Sequence, residues 1–228
     1  MAVDMRKRED GKESVPASPT LQVEKTFWEA GQVLVAGLDE AGRGPWAGPV
    51  TAAAVILPYD SSLLSTLEAV RDSKMLTPGR RERCYLQIIE VALAVGVGRA
   101  ETEEIDAVGI VPATRLAMLR ALGRLEVEPQ ALILDALSLP AWRRPQRAFP
   151  RADATSLSVA AASIMAKVTR DRWMVEVAEM QFPGYGFARH KGYGTRQHRE
   201  ALDRLGVCAL HRRTFRPISE LIKGPDGF

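Results

Sequence analysis

The sequence predicts an α/β fold, with a mixed sheet flanked by helices and a helical C-terminal part. Three observations predict it. Apolar runs at residues 33–38, 50–57 and 131–134 have the length of buried strands, and two of them end abruptly in acids. A pattern from residue 156 to about 180 is helical, with Leu157, Ala161, Ile164 and Val168 at i, i+4, i+7 and i+11. Strand signals dominate the first half of the chain, and helix signals the second.

Each element has its own warrant. Residues 1–24 carry Lys, Arg, Glu, Asp, Ser and Pro without periodicity and are expected to be a disordered tail, with residues 25–228 forming the folded domain. Residues 33–38 (VLVAGL) form a strand that delivers Asp39-Glu40. After a Gly/Pro-rich turn, residues 50–57 (VTAAAVIL) form a second strand stopped by Pro58, so the two make a hairpin. Thr77 caps a helix that runs to about Val91, with Pro78 at its first position, and residues 93–100 read as a third strand. Pro112 opens another helix, with Leu116, Leu119 and Leu122 as its apolar stripe and Gly123 at its end. The strand 131–134 delivers Asp135. Asp153 lies just before the long helix, on which Lys167, Arg170 and Asp171 share a face. Residues 182–195 are a loop rich in glycine, aromatic and basic residues. Thr195 caps a short helix that Gly206 ends.

Composition bounds the function. The chain has 228 residues, 46% hydrophobic and 26% charged, as expected of a globular domain. Its net charge of +3 excludes a histone-like polycation, yet residues 143–151 and 189–216 are locally basic, which suits a nucleic-acid partner. Cys84 and Cys208 form no CxxC and are expected to be free thiols. The first 20 residues lack an apolar signal core, and no stretch approaches the roughly 20 apolar residues that span a bilayer. A cytoplasmic monomer with no membrane partner is the expectation.

Four acids carry the chemistry. Asp39 and Asp135 sit at strand ends, where an open α/β sheet places its ligands. If those strands are neighbours their carboxylates converge, and Asp153 reaches the same point from the helix start. Adjacent strand residues face opposite ways, so Glu40 joins Asp39 only if the strand is turning there. Carboxylates this close repel unless a cation compensates them, and Mg²⁺ or Mn²⁺ is the natural one. Each acid alone could equally be half of an ion pair. Gly42-Arg43-Gly44 beside them lacks the lysine and Ser/Thr of a P-loop, which argues against an NTPase, but its glycines allow a sugar-phosphate chain to approach and Arg43 can donate to phosphate. In residues 189–195 (RHKGYGT), Lys191 and His190 offer phosphate contacts, and Tyr193 between two glycines can lie flat against a sugar or base. His190, His198 and His211 have no zinc-site spacing.

Residues 39–49 (DEAGRGPWAGP), Asp72-Ser73-Lys74, residues 160–171 (AAASIMAKVTRD), residues 190–195 (HKGYGT) and residues 211–215 (HRRTF) together resemble bacterial ribonuclease HII over about residues 33–217. The resemblance implies a ribonuclease H-like fold with a five-stranded mixed sheet. It implies endonucleolytic cleavage of RNA in RNA–DNA hybrids and at ribonucleotides embedded in duplex DNA, as in ribonucleotide removal during DNA repair. It implies that Asp39, Glu40, Asp135 and Asp153 bind the metal, that Gly42, Arg43 and Gly44 read the backbone, and that Tyr193 senses the ribose. Lys74, Lys167, Arg170 and Lys191 match its basic positions and are expected to contact phosphate. The chain departs from the pattern at Ala136 and Ala152, where the family usually has glycine. Alanine disfavours positive φ, so reshaped backbone is expected beside both acids. A binding module that merely recognises hybrids is the alternative.

Overall fold

The structure is a computed structural model that describes residues 18–71 and 73–223. Five strands form one sheet in the order β3-β2-β1-β4-β5. They are β1 (Val35–Ala41), β2 (Val50–Ile56), β3 (Ala94–Ala100), β4 (Ala131–Asp135) and β5 (Gln146–Phe149). β1, β2 and β3 pair antiparallel as a meander, while β4 pairs parallel to β1 and β5 parallel to β4. The helices are α1 (Gln22–Trp28), α2 (Leu63–Thr66), α3 (Pro78–Val91), α4 (Thr102–Val108), α5 (Ile110–Leu122), α6 (Leu157–Trp173), α7 (Glu179–Gln181), α8 (Phe187–His190), α9 (Arg196–Leu205) and α10 (Ile218–Lys223).

The period-2 alternation of the strands divides the core in two. Val35, Ala53, Val55 and Ile133 face α6, with Cys84 and Ile88 of α3 behind it. Ala36, Leu38, Ala52, Ala54 and Leu132 face Ala113, Ala117, Met118 and Ala121 of α5. α6 lies almost in contact with the backbone of β1, since a Cβ on Gly37 would fall 2.2 Å from the Ser158 carbonyl carbon. A third cluster joins Ala47, Met174, Tyr185, Phe187, Leu202, Leu210 and Ile218, and this is the helical C-terminal part. The long helix expected to about residue 180 is continuous but changes pitch: α6 passes into a π-helical turn at Met174–Ala178 before α7.

Several expectations are corrected here. Residues 1–17 of the expected tail lie outside the described residues, but residues 18–24 do not belong to a tail. Leu21 is buried at 1% exposure, and the buried Glu24 accepts hydrogen bonds at its Oε1 from Ser156 Oγ (2.6 Å) and from Ser158 N (2.9 Å) and Oγ (2.7 Å). Glu24 thus serves as a second cap on the N-terminus of α6, a link 132 residues long that no local pattern reveals. The apolar stripe of α5 is not Leu116, Leu119 and Leu122. Its buried face is Ala113, Thr114, Ala117, Met118 and Ala121, and Leu119 is 37% exposed. The reason is proximity: a Cβ on Gly98 of β3 would sit 2.2 Å from Ala117 O, so this helix packs too close to the sheet for leucine. α4 and α8 were not expected, and the fifth strand that the resemblance implies, β5, was not located from local pattern. They are short, and the signals at residues 101–106 and 143–151 read as charge rather than as periodicity.

The two alanine departures resolve differently. Ala136 adopts φ 56, the left-handed conformation that glycine would supply, whereas at the second departure it is Arg151 (φ 60) that turns left-handed and Ala152 is spared. A left-handed alanine costs about 1 kcal/mol. Ala136→Gly is therefore expected to stabilise the protein by about 1 kcal/mol in urea unfolding, and an unchanged or lowered midpoint would refute the strain.

Candidate active site

The parallel pairing of β1 with β4 ends at Leu38↔Leu134, which sets Asp39 and Asp135 level on adjacent strands. With Glu40 they line one open depression together with Gly42, Arg43, Gly44, Ser73, Lys74, Lys167 and Tyr193. The strand does not turn at Glu40 as expected, since β1 remains paired with β2 through Ala41↔Thr51. It outruns β4 instead, and Arg43 Nη1 holds Glu40 Oε1 at 3.1 Å.

The electrostatics are those of crowded, buried carboxylates. Asp39, 5% exposed, is raised well above the usual carboxylate range by burial first and then by Glu40, with Asp135 adding to it. A hydrogen bond from Ser163 on α6 and one from the Glu40 amide (2.7 Å) partly offset this. Ser163 is braced in turn by Ser73, Oγ to Oγ at 3.0 Å. Burial also raises Glu40, against the opposing pull of Arg43 and Lys74. Its Oε2 is buried without a hydrogen-bond partner. Such an oxygen is costly to leave unpaired and is the kind of atom that a hard cation satisfies. Among the described residues no three acidic, thiol or imidazole groups are gathered closely enough to hold an ion by themselves. The donor set fits Mg²⁺ or Mn²⁺.

Asp153 sits in a 3-10 turn (Ala152–Ala154), is 6% exposed, and is not among the residues lining the depression. Its turn is tied to the site through Ala152 N, which donates to Asp135 Oδ1 at 2.9 Å. Of the basic residues, Lys74 and Lys167 line the depression, and Lys167 Nζ also meets Asp171 at 2.8 Å. Lys191 does not line it, and its ammonium folds back onto the carbonyl of Ala188. Arg170 corrects an expectation. It is fully buried and donates to the carbonyls of Pro49, Ala47 and Lys191, so it has no free face to offer a phosphate.

The model for ribonuclease HII matches residues 36–218 of the chain. The chain belongs to the ribonuclease HII family. A ribonuclease HII from Chloroflexus aggregans is 52% identical over 210 residues, covering 92% of this chain and 99% of that protein. Another from Chloroflexus aurantiacus is 54% identical over 205 residues, covering 90% and 96%. Among solved structures, ribonuclease H2 from Pyrococcus horikoshii superposes with a TM-score of 0.67 at 29% identity, over 82% of this chain and 96% of that one. The fold is therefore ribonuclease H-like, and the chain is a ribonuclease of the H class, a hydrolase.

Sequence spacing left the three histidines apart, but the fold brings them together beneath the Tyr193 loop. His190 and His198 rings lie 4.3 Å apart, and His198 Nε2 is 3.0 Å from His211 Nε2. The hydrogen bonds fix their tautomers. Cys208 N donates to His211 Nδ1 (3.0 Å), so His211 Nε2 carries the proton to His198 Nε2, and His198 Nδ1 then donates to Tyr193 O (3.0 Å). Gly192 N donates to His190 Nδ1 (3.2 Å), so His190 Nε2 donates to Tyr185 O (2.9 Å). All three rings are neutral, and burial lowers His198 and His211 to about 4 from an ordinary 6.5. A folded-state value below the unfolded one means stability is complete above pH 6.5 and is lost as pH falls from 6.5 towards 4. Urea unfolding at pH 7 and 4.5 is expected to show a loss on the order of 3 kcal/mol, measured as the difference from His198→Gln. That difference matters because the raised Asp39 and Glu40 act in the opposite direction. Equal pH slopes in the two proteins would refute it.

The glycines flanking Tyr193 also have a different purpose from the one expected. A Cβ on Gly194 would lie 2.2 Å from the Trp46 ring, and one on Gly192 would lie 2.3 Å from Ala47 O. They let this loop lie against residues 46–47, where Trp46 N donates to Gly192 O at 2.9 Å.

Proposed function

We propose that the chain is a divalent-metal-dependent endoribonuclease. It cuts the RNA strand of RNA–DNA hybrids and cuts at ribonucleotides embedded in duplex DNA, leaving 5′-phosphate and 3′-hydroxyl ends. It acts as a cytoplasmic monomer in ribonucleotide removal. The observation that carries this reading is the gathering of Asp39, Glu40 and Asp135, a glycine-arginine-glycine turn, two lysines and Tyr193 on one depression.

Asp39, Glu40 and Asp135 would hold the metal, with Asp153 completing the set. Two bound ions, Mg²⁺ or Mn²⁺, would supply an activated water on one side of the scissile phosphate and charge stabilisation for the leaving oxygen on the other. The protein's own groups do the rest. Lys74 and Lys167, flanking the acids, draw in the polyanionic strand. Arg43 and its two glycines hold the backbone. Tyr193, 41% exposed on the same wall, meets the sugar, the part of the strand that distinguishes ribose from deoxyribose. The free thiols Cys84 and Cys208 suit a reducing compartment, and no helix among the described residues is long and apolar enough to cross a membrane.

The test is cleavage of a DNA duplex carrying one ribonucleotide, against an all-DNA duplex and an RNA–DNA hybrid, with Mg²⁺, with Mn²⁺ and with EDTA. Metal-dependent cutting confined to the two ribonucleotide-containing substrates is expected. Tight hybrid binding without cleavage in any metal would instead identify a binding module.

A further inference from the structure

Two buried arginines lie beneath the 42–49 turn, and both direct their guanidinium groups to backbone carbonyls. Arg212, 0% exposed, donates from Nη2 to Gly42 O (2.5 Å) and Gly48 O (2.7 Å), from Nη1 to Arg43 O (2.9 Å), and from Nε to Gly48 O (3.0 Å). Arg170, also 0% exposed, donates from Nε to Pro49 O (2.9 Å), from Nη2 to Ala47 O (3.2 Å) and from Nη1 to Lys191 O (3.1 Å). The turn is moulded around them. Gly42 has φ +93, and a Cβ there would lie 2.1 Å from Arg170 Nε.

The direction of those carbonyls decides the direction of the amides. In a trans peptide the C=O and the following N–H point opposite ways. Drawing Gly42 O and Arg43 O down onto Arg212 therefore turns the N–H groups of Arg43 and Gly44 away from it. Those two residues line the depression, and among the described residues neither amide donates to a protein acceptor. The arginines also leave positive charge beneath the turn, which favours an anion above it. The loop carrying Arg212 is itself held from α4. Asp106 accepts from Arg213 N (2.8 Å), Thr214 N (3.0 Å) and Thr214 Oγ1 (2.7 Å).

We propose that Arg212, braced by Arg170 and by Asp106, is a positioning residue that aims the Arg43 and Gly44 amides at a phosphodiester oxygen of the substrate. This rests on the reading of the depression as the place where a nucleic-acid strand is held, and its test separates the two. The full chain is labelled with ¹⁵N, and the Arg43 and Gly44 amide signals are followed while inorganic phosphate is added. Both signals are expected to move in the parent. In Arg212→Lys, which keeps the charge but loses the fork, the apparent affinity reported by these signals should fall about tenfold, the equivalent of one well-formed hydrogen bond.

Asp106→Ala, a change at a half-buried residue that loosens the same loop, should weaken the response in the same direction and decides the matter if Arg212→Lys fails to fold. A lowered melting temperature in either folded variant with the two amides responding as in the parent would mean a merely structural role and overturn the proposal. So would parent amides that ignore phosphate, even if the same sample cleaves hybrids and so keeps the functional reading. Responsive parent amides in a protein that cleaves nothing would sink the functional reading and leave this one standing.

Discussion

Asp39→Asn is expected to lower cleavage by about a thousandfold or more while making the metal-free protein more stable. The carboxylate is 5% exposed, and its affinity for a proton is raised by burial, by Glu40 and by Asp135. Asparagine keeps the shape and an oxygen to accept from the Glu40 amide, and removes only the charge. A metal ligand's charge is worth several kcal/mol to the reaction, so turnover should collapse while hybrid binding persists.

Stability should move the other way. A carboxyl group raised in the folded state penalises folding above its unfolded value of 3.8, increasingly as pH rises towards the folded value and steadily beyond it. Removing the charge should therefore give a gain on the order of 1 kcal/mol at pH 7 in EDTA, vanishing below pH 3.8. Urea unfolding in EDTA across that range and turnover in Mg²⁺ and Mn²⁺ check both halves. Turnover within tenfold of the parent would remove Asp39 from the chemistry. A destabilised variant at pH 7 would mean that the carboxylates are not in conflict.

Tyr193→Ala should slow cutting at a lone ribonucleotide about a hundredfold while changing overall duplex binding little. The loop is held through its backbone rather than its ring: Tyr193 N donates to His190 O (2.9 Å), and Tyr193 O accepts from His198 Nδ1 (3.0 Å) and Thr195 N (2.8 Å). Truncation should thus remove the ring and leave the loop in place. Lys167 Nζ lies 5.6 Å from the ring centroid, and both side chains line the acids' depression, which puts the ring beside a phosphate-attracting cation. Phosphate contacts cannot tell ribose from deoxyribose, and a group meeting the sugar must do so. Tyr193→Phe divides the contribution. A small effect assigns it to ring contact, and a large one to the phenol hydrogen bond. An Ala variant that cuts a single embedded ribonucleotide as fast as the parent would pass sugar recognition to Gly42-Arg43-Gly44.

The strands β1, β2, β3 and β4, the caps Thr77 and Thr195, and the gathering of Asp39, Glu40 and Asp135 were legible in the sequence. Each depends on a local pattern: apolar runs of strand length, a capping hydroxyl, an acid at a strand end. The acids converge because the pairing that brings β1 beside β4 acts on whole apolar runs, and both runs end in carboxylates. Arg170 misled for a reason just as local. A basic residue on a helix reads as solvent-facing, but α6 is enclosed by the sheet on one side and the C-terminal part on the other.

By itself the sequence determined the α/β class, the acids at the strand ends, the glycine-arginine-glycine turn and the loop that carries Tyr193. These are written in residues whose neighbours along the chain suffice to explain them. Only the tertiary structure decided that Arg212 and Arg170 hold the turn from below, that Ser163 and Ser73 brace Asp39, that three neutral histidines support Tyr193, and that Glu24 caps α6. Those partners lie up to 170 residues apart along the chain. A buried polar group takes whichever donor or acceptor the packed core brings within about 3 Å, and that choice exists only once the layers have closed.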